Sequence, residues 1–547
     1  MDMFNHRFRS ACKGLTLGLV SLLITGTVSA RILPGEEARF VVGDSIYHQP
    51  TILPESQRRP DKGLLIRNIY IIDGTGSPPY GPVDIRVDND RITAIKSALA
   101  GAGVGVSLGG DSNDEGIRVI DGSGKYVMPG FIDAHVHTDV AHHSDFGEVP
   151  TVDYVFKLWL GHGITTVRDV GAFGGLGQYM EYKELSEQNA IIAPRMKIYP
   201  AYPMGMIPNP ETAANWVKAI RKRGADGVKL LGGRADNLKA VIETANSLGM
   251  KTAFHHPQVG VNQANALDSA LWGNASIEHW YGIPEAMFED KRIQRYSLDY
   301  NYSNEQDRFG EAGTLWAQTA KPGSERWNAL IDKFIELNVT LDPTLSVYEA
   351  NRDLMAVSRR EWFDEFVIPA IEEAFQPNYK IHGSYFFDWT TQDEINWKNN
   401  FNLWMAFVND FKNRGGRVTV GSDAGFIYNL FGFGYVRGLE MLQEAGFHPL
   451  EVMQAATLNG AELLGMADEV GTLAVGKKAD MVIVEENPLT NFKLLYGTGH
   501  TRLNLETHQR EKVGGVLYTI KDGVVYDAKA LLEEVKATVR KLRAKQA

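Results

Sequence analysis

The sequence predicts an α/β protein: a (β/α)8 barrel of the TIM type with a small composite β-sandwich built from N- and C-terminal segments. Three observations carry that expectation. Between residues 127 and 465, strand-like apolar runs alternate with helix-like segments. On either side, at 63–126 and 466–527, the runs are short, β-branched and separated by turn residues. Five central segments end on groups that can bind a metal: His135 and His137 in PGFIDAHVHTD, Lys229 in GADGVKLL, His255 in KTAFHHPQ, His279 in NASIEHW and Asp423 in VTVGSDAG. Alternating βα units imply a parallel sheet, and eight of them imply a closed barrel whose strand ends converge at one mouth.

Taken in order, residues 1–30 read as a secretory signal. Arg7, Arg9 and Lys13 precede the apolar stretch LTLGLVSLLITGTVSA, and Val28 and Ala30 are the small residues of a cleavage site. The apolar run is short for a membrane span of about 20 residues, so the expectation is cleavage near Ala30 and a secreted, periplasmic protein without a stable membrane span. The only cysteine, Cys12, lies ahead of that run. The processed chain would then have neither disulfides nor cysteine-ligated zinc, and nitrogen and oxygen must hold any metal.

Residues 31–62, with Pro34, Pro50, Pro54 and Pro60, read as an extended arm. Strands are expected over 64–73, 83–96 and 117–121, with turns at Gly74–Pro79 and Asp88–Asp90. The glycine-rich stretch 100–116 reads as a mobile loop. Matching strand-like runs return at 471–488 and 513–527, the second holding a KDGV hairpin turn.

Eight barrel strands are expected at about 127–137, 164–170, 195–202, 227–231, 251–256, 276–280, 338–345 and 417–423. Helices are expected at 210–224, 235–249, 263–274 and 448–465. The aromatic-rich stretches 281–325 and 346–400 exceed a minimal barrel and read as insertions at its mouth. A terminal helix with a basic end closes the chain at 528–547.

The 547 residues are 44% hydrophobic and 22% charged, ordinary for a folded soluble protein, and the formal net charge of −11 argues against a nucleic-acid binder. His135 and His137 are two apart, so on a strand both imidazoles face the same side. Neither LGG at 231–233 nor GGLG at 174–177 has the spacing of a dinucleotide fingerprint.

VMPGFIDAHVHTD resembles the first-strand signature of the metal-dependent amidohydrolase superfamily. GITTVRDVG, SIEHW, GSDAG and GTLAVGKKADMVIVEENP resemble further stretches of that family in the expected order. Within it, the chain is most similar to the imidazolonepropionase-like group that contains Xaa-Pro and related dipeptidases. The resemblance implies that His135, His137 and Asp423 hold one metal while His255 and His279 hold a second. Adjacent His256 is the rival for His255, and the family pattern favours the first of the pair.

Lys229 decides the metal count. A buried amine among cations loses its proton readily, and as a carbamate, N6-carboxylysine, it could bridge two divalent ions. The alternative is a lysine in a structural ion pair. Zinc suits nitrogen and oxygen ligands, and manganese or cobalt could substitute.

The expected activity is hydrolysis of an amide bond in a small substrate, a dipeptide or N-acyl amino acid, by a metal-bridging hydroxide with Asp423 as proton shuttle. A cyclic amide, lactone or phosphotriester hydrolase is the alternative, and a non-catalytic binding protein the remote one. Tyr202, Arg234, Tyr281 and His142, with His143 beside it, are candidates for substrate contacts. Arg168 reads as an ion-pair partner of Asp169. A homo-oligomer is compatible with the sequence.

Overall fold

The computed structural model describes residues 50–58, 63–98, 116–138, 140–377, 383 and 386–546. The leader at 1–30, most of the arm and nearly all of the glycine-rich loop lie outside these residues.

The first five strands are β1 (Leu64–Ile71), β2 (Tyr80–Asp88), β3 (Arg91–Ser97), β4 (Arg118–Asp121) and β5 (Tyr126–Pro129). The run expected at 127–137 is thus two strands, because the chain breaks at Gly130 and continues as β6 (Phe131–Val136). A Cβ at Gly130 would lie 2.1 Å from the Thr165 hydroxyl, so glycine is what lets the two segments diverge here. Then follow β7 (Ile164–Gly171), β8 (Arg195–Pro200), β9 (Gly227–Leu230), β10 (Lys251–Phe254), β11 (Ser276–Glu278), β12 (Thr340–Asp342) and β13 (Arg417–Val418). The last five are β14 (Met481–Val484), β15 (His500–Leu503), β16 (Arg510–Val513), β17 (Val516–Lys521) and β18 (Val524–Asp527).

Strands from both ends of the chain share one eight-stranded sheet, ordered β18-β17-β14-β5-β1-β2-β3, with β4 also on β1. Antiparallel pairing of β14 with β5, Met481 opposite Pro129, joins the two halves. Leu64, Ile66, Ile85, Val127, Met481 and Ile483 form its apolar core. The ladders make a single sheet rather than the two facing sheets of the expected sandwich. The hairpin β15–β16 was not anticipated.

The central strands are parallel, β6-β7-β8 in one sheet and β9 to β13 in another. The expected closed barrel does not appear as one continuous ladder. The two sheets nevertheless meet at both margins. Ala201 bridges Lys229 in parallel, while Ala134 N donates to Val420 O at 2.9 Å and Asp423 N to His135 O at 2.8 Å.

Helices lie between these strands where the polar and apolar spacing calls for them. In Pro210–Lys222, Asn209 caps the N-terminus by accepting from Thr212 N, proline occupies the first turn, and Ala213, Val217 and Ile220 form the buried stripe. The helix expected at 448–465 is two, Pro449–Ala456 and Leu458–Leu463, broken at the non-helical Thr457.

The segment 281–325 carries short helices, 346–400 carries short helices and the start of the 23-residue helix Thr391–Asn413, and both pack on the end of β11. Trp280, Trp316, Trp397 and Trp404 are almost wholly buried there, with Trp280 about as close to Trp397 as to Trp404 (5.9 Å between ring centres). A buried ionic knot fastens β8 to the mixed sheet: Arg195 pairs with Asp480 and with Asp522 at 2.5 Å. The C-terminal helix Ala528–Gln546 buries Leu531, Leu532, Val535, Val539 and Leu542.

Candidate metal centre

The six side chains singled out at strand ends come together. Alternation along β6 turns His135 and His137 to the same side. His137 Nε2 lies 3.1 Å from Asp423 Oδ1, and His135 Nε2 lies 3.7 Å from the same oxygen. His279 Nε2 is 3.8 Å from Asp423 Oδ2. Lys229 Nζ is 3.4 Å from His135 Nε2. The His255 ring centre lies 4.6 Å from that of His279.

His279, Thr344 and Asp423 have φ of 61°, 45° and 48°, a left-handed conformation that side chains other than glycine rarely adopt. Each costs on the order of 1–3 kcal/mol and persists only where the surroundings impose it. Here it occurs just past β11 at His279, just past β12 at Thr344 and in the loop after β13 at Asp423, the segments that face the cluster.

The donor set suits a divalent ion. Burial first, and then the Lys229 charge, push the His135 imidazole well below its ordinary pKa. His255 and His279 are likewise held neutral, mainly by burial. A neutral imidazole keeps the lone pair that a metal needs. His135 Nδ1 faces Glu278 Oε2 at 2.6 Å and His279 Nδ1 faces Thr344 Oγ1 at 2.5 Å. The Nε2 atoms are left toward Asp423, the outer-shell arrangement typical of ligating histidines. Ligand atoms of His135, His137 and Asp423 all lie within 4.8 Å of one another. Tetrahedral ligands at about 2.1 Å from zinc sit about 3.4 Å apart, close to the 3.1 and 3.7 Å that separate Asp423 Oδ1 from His137 and His135.

Burial opposes ionisation of Asp423, but the neighbouring imidazoles and Lys229 prevail and hold its carboxyl below the usual range. Burial lowers Lys229 to about 8.

Behind the cluster stands a group that sequence reading missed. Arg168, on β7, is fully buried and donates to Ala134 O, to Ser276 Oγ at 2.8 Å, to Glu278 at 2.9 and 3.0 Å, and to Asp342 Oδ2 at 3.0 Å. The expected Arg168–Asp169 pair is therefore corrected. Asp169 instead accepts from Thr138 N and Oγ1 and from Ala172 N, because successive residues of a strand face opposite sides. Burial and the nearby Glu278 raise Asp342 well above the carboxylate range, whereas Arg168 outweighs burial and keeps Glu278 low. Gly421 makes room for this knot: a Cβ there would lie 2.4 Å from Asp342 Oδ1 and 2.5 Å from His135 Cβ. The alternation Ser276-x-Glu278 was the available signal, two polar residues on one face of a short buried strand.

Comparison with known proteins bears on this arrangement. Residues 400–525, which include Asp423, match the Amidohydrolase family. Over 55 residues the chain is 44% identical to an imidazolonepropionase of Brevibacillus brevis, a match covering 10% of this chain and 13% of that protein. Over these stretches the chain is similar to amidohydrolases.

Its fold is shared more widely than its sequence. A Xaa-Pro dipeptidase crystallised with methionine in its active site superimposes with a TM-score of 0.55 at 20% identity, covering 85% of this chain and 100% of the other. Bottromycin amidohydrolase superimposes with a TM-score of 0.59 at 18% identity, covering 89% and 94%. These likenesses agree with an α/β fold.

The remaining candidate residues fall in different places. His256 turns away from the cluster, stacking on Phe254 (3.8 Å between ring centres) with Nε2 2.9 Å from Ser269 Oγ, and burial lowers its pKa to about 3. Tyr281 is buried with its ring 5.7 Å from that of His255. Tyr202 is instead part of the apolar layer of Ile207, Val217 and Leu238, where a tyrosine two residues past the end of β8 is free to turn. Arg234 is exposed and paired with Asp236 at 2.8 Å, its neighbour on the helix it precedes. The structure thus brings neither Tyr202 nor Arg234 to the imidazoles. His143 is buried with Nε2 2.9 Å from Gly425 O. The His142 side chain lies outside those described.

Proposed function

We propose that the protein is a binuclear metal-dependent hydrolase that cleaves the amide bond of a dipeptide or N-acyl amino acid. The observation that carries this reading is the convergence of His135, His137 and His279 on Asp423, with Lys229 Nζ 3.4 Å from His135 Nε2. The partial likeness to amidohydrolases and the shared fold support it. We read the two parallel sheets as one barrel, since hydrogen bonds link both margins, and the site as its mouth. Export to the periplasm belongs to the same proposal and rests on the leader at 1–30.

His135, His137 and Asp423 would hold one ion, and His255 and His279 the other. Neutral Lys229 would add to carbon dioxide and shed a proton, giving a carbamate with two oxygens able to bridge the pair. Zinc best suits this nitrogen and oxygen set. Divalent ions bound there would polarise the scissile carbonyl and lower the pKa of water from 15.7 towards about 7.

The chain's own part is positional. Glu278 holds His135 so that Nε2 faces the site, and Thr344 does so for His279. Asp423, ionised and within reach of the His135 and His137 imidazoles, takes the proton of the attacking water and returns it to the leaving nitrogen.

The test is metal analysis of protein purified without chelator, together with a hydrolysis screen of dipeptides, N-acyl amino acids, cyclic amides and lactones. Two equivalents of metal and cleavage of the first two classes are expected. Less than one equivalent would overturn the binuclear reading, and cleavage confined to the last two classes would overturn the substrate assignment.

A further inference from the structure

Arg308 sits in the segment 281–325, on the helix Glu305–Ala312. It is only 8% exposed. Its guanidinium lies over the rings of Tyr302 and Phe309, 4.3 and 4.8 Å from their centres. Nε donates to Gln258 Oε1 at 3.1 Å, and Gln258 Nε2 donates back to the Arg308 carbonyl at 3.2 Å. Gln258 is three residues beyond His255, so this pair of bonds fixes the guanidinium to the chain leaving β10.

What Arg308 lacks is an anion. The other arginines buried among the described residues, Arg168 and Arg195, each meet two carboxyl groups. Among the described residues, no carboxylate oxygen lies within 4.0 Å of Arg308, and its two terminal amino groups have no hydrogen bond. Glu305, one turn earlier, accepts from Gly383 N at 3.1 Å. The Glu305 charge acts on the guanidinium without pairing with it, and a buried guanidinium with no carboxylate in contact is costly, which leaves its two amino groups open to an incoming anion.

Its position fits that purpose. The Arg308 charge acts on His255, on Tyr281 and on Tyr348. The rings of Tyr281 and Tyr348 stand 5.7 Å from His255 and 5.6 Å from His279. The buried Tyr281 hydroxyl has no hydrogen-bond partner. A cation and a phenolic donor therefore flank the side of the cluster where His255 and His279 stand.

We propose that Arg308 is a specificity-determining residue that takes the free carboxylate of the substrate in a bidentate pair, so that substrates ending in a carboxylate are preferred over their amides or esters. This rests on the hydrolase reading above, and its test does not depend on turnover. N-methanesulfonyl-L-leucine and its carboxamide, whose sulfonamide resists hydrolysis, would be titrated into metal-loaded protein by calorimetry. The acid should bind at least tenfold more tightly than the carboxamide. Arg308→Met should erase that ratio, while Arg308→Lys should keep part of it, each with an unchanged circular dichroism spectrum.

Equal affinities in the wild-type protein, or no binding of the acid at millimolar concentration, would overturn the proposal without any variant. So would a preference that survives in folded Arg308→Met. Whether any amide is hydrolysed is a separate measurement and decides only the hydrolase reading.

Discussion

Replacing Arg168 by methionine removes a positive charge from a place that water does not reach. The guanidinium is fully buried and holds Glu278 at 2.9 and 3.0 Å, Asp342 at 3.0 Å, Ser276 at 2.8 Å and the Ala134 carbonyl. Asp342 is held protonated, so Glu278 is the charge left stranded. Removing one partner of a buried pair costs about 3–5 kcal/mol. That is a large share of a total stability of about 5–15 kcal/mol.

The assay is urea unfolding followed by tryptophan fluorescence, with EDTA present so that metal contributes nothing. Arg168→Met should lower the stability by the stated amount, and adding Glu278→Gln should recover most of it by removing the stranded charge. A loss below about 1 kcal/mol, the worth of an exposed pair, would refute the reasoning. So would a double variant no more stable than the single one.

The other predictions concern the cluster and the buried histidines. Asp423→Asn should lower kcat by about 10²–10⁴-fold, the range for losing a general base, while bound metal changes little; wild-type turnover would rule out the proton shuttle. Lys229→Ala should lose one equivalent of metal and regain activity with small carboxylic acids. Unchanged metal content there would favour a structural lysine. In EDTA, the protein should become acid-labile below pH 6.5. Burial lowers His143 and His162 to about 4 and His256 to about 3. Between those values and 6.5 the unfolded chain binds more protons than the folded one, so stability falls as pH falls. At 1.36 kcal/mol per unit, His143 and His162 each account for about 3 kcal/mol. Urea midpoints that stay flat from pH 7 to pH 4.5 would refute this.

Much of this protein is legible in one dimension. His135, His137, Lys229, His255, His279 and Asp423 each end a short apolar run, and a run of that kind needs only local spacing to be read as a buried strand. Their order along the chain matches the order of parallel strands from β6 to β13. The strand-like runs at the two ends likewise suggested a shared sheet, which the pairing of β5 with β14 forms.

What the tertiary structure alone decided is which polar groups face one another. Arg168 next to Asp169 reads as an adjacent pair, yet alternation sends them to opposite sides and gives Arg168 partners on β11 and β12. Glu278 in SIEHW and Asp342 in VTLDP carry no local mark distinguishing a buried carboxylate from an exposed one. Tyr202 and Tyr281 are both tyrosines just beyond a strand, but one turns into an apolar layer and the other stands beside His255. Arg308 lies in a segment whose aromatic composition says only that it folds against something. Hydrophobic spacing is a property of neighbours along the chain, whereas the pairing of charges depends on which strands and helices meet, and that is settled only when the chain closes on itself.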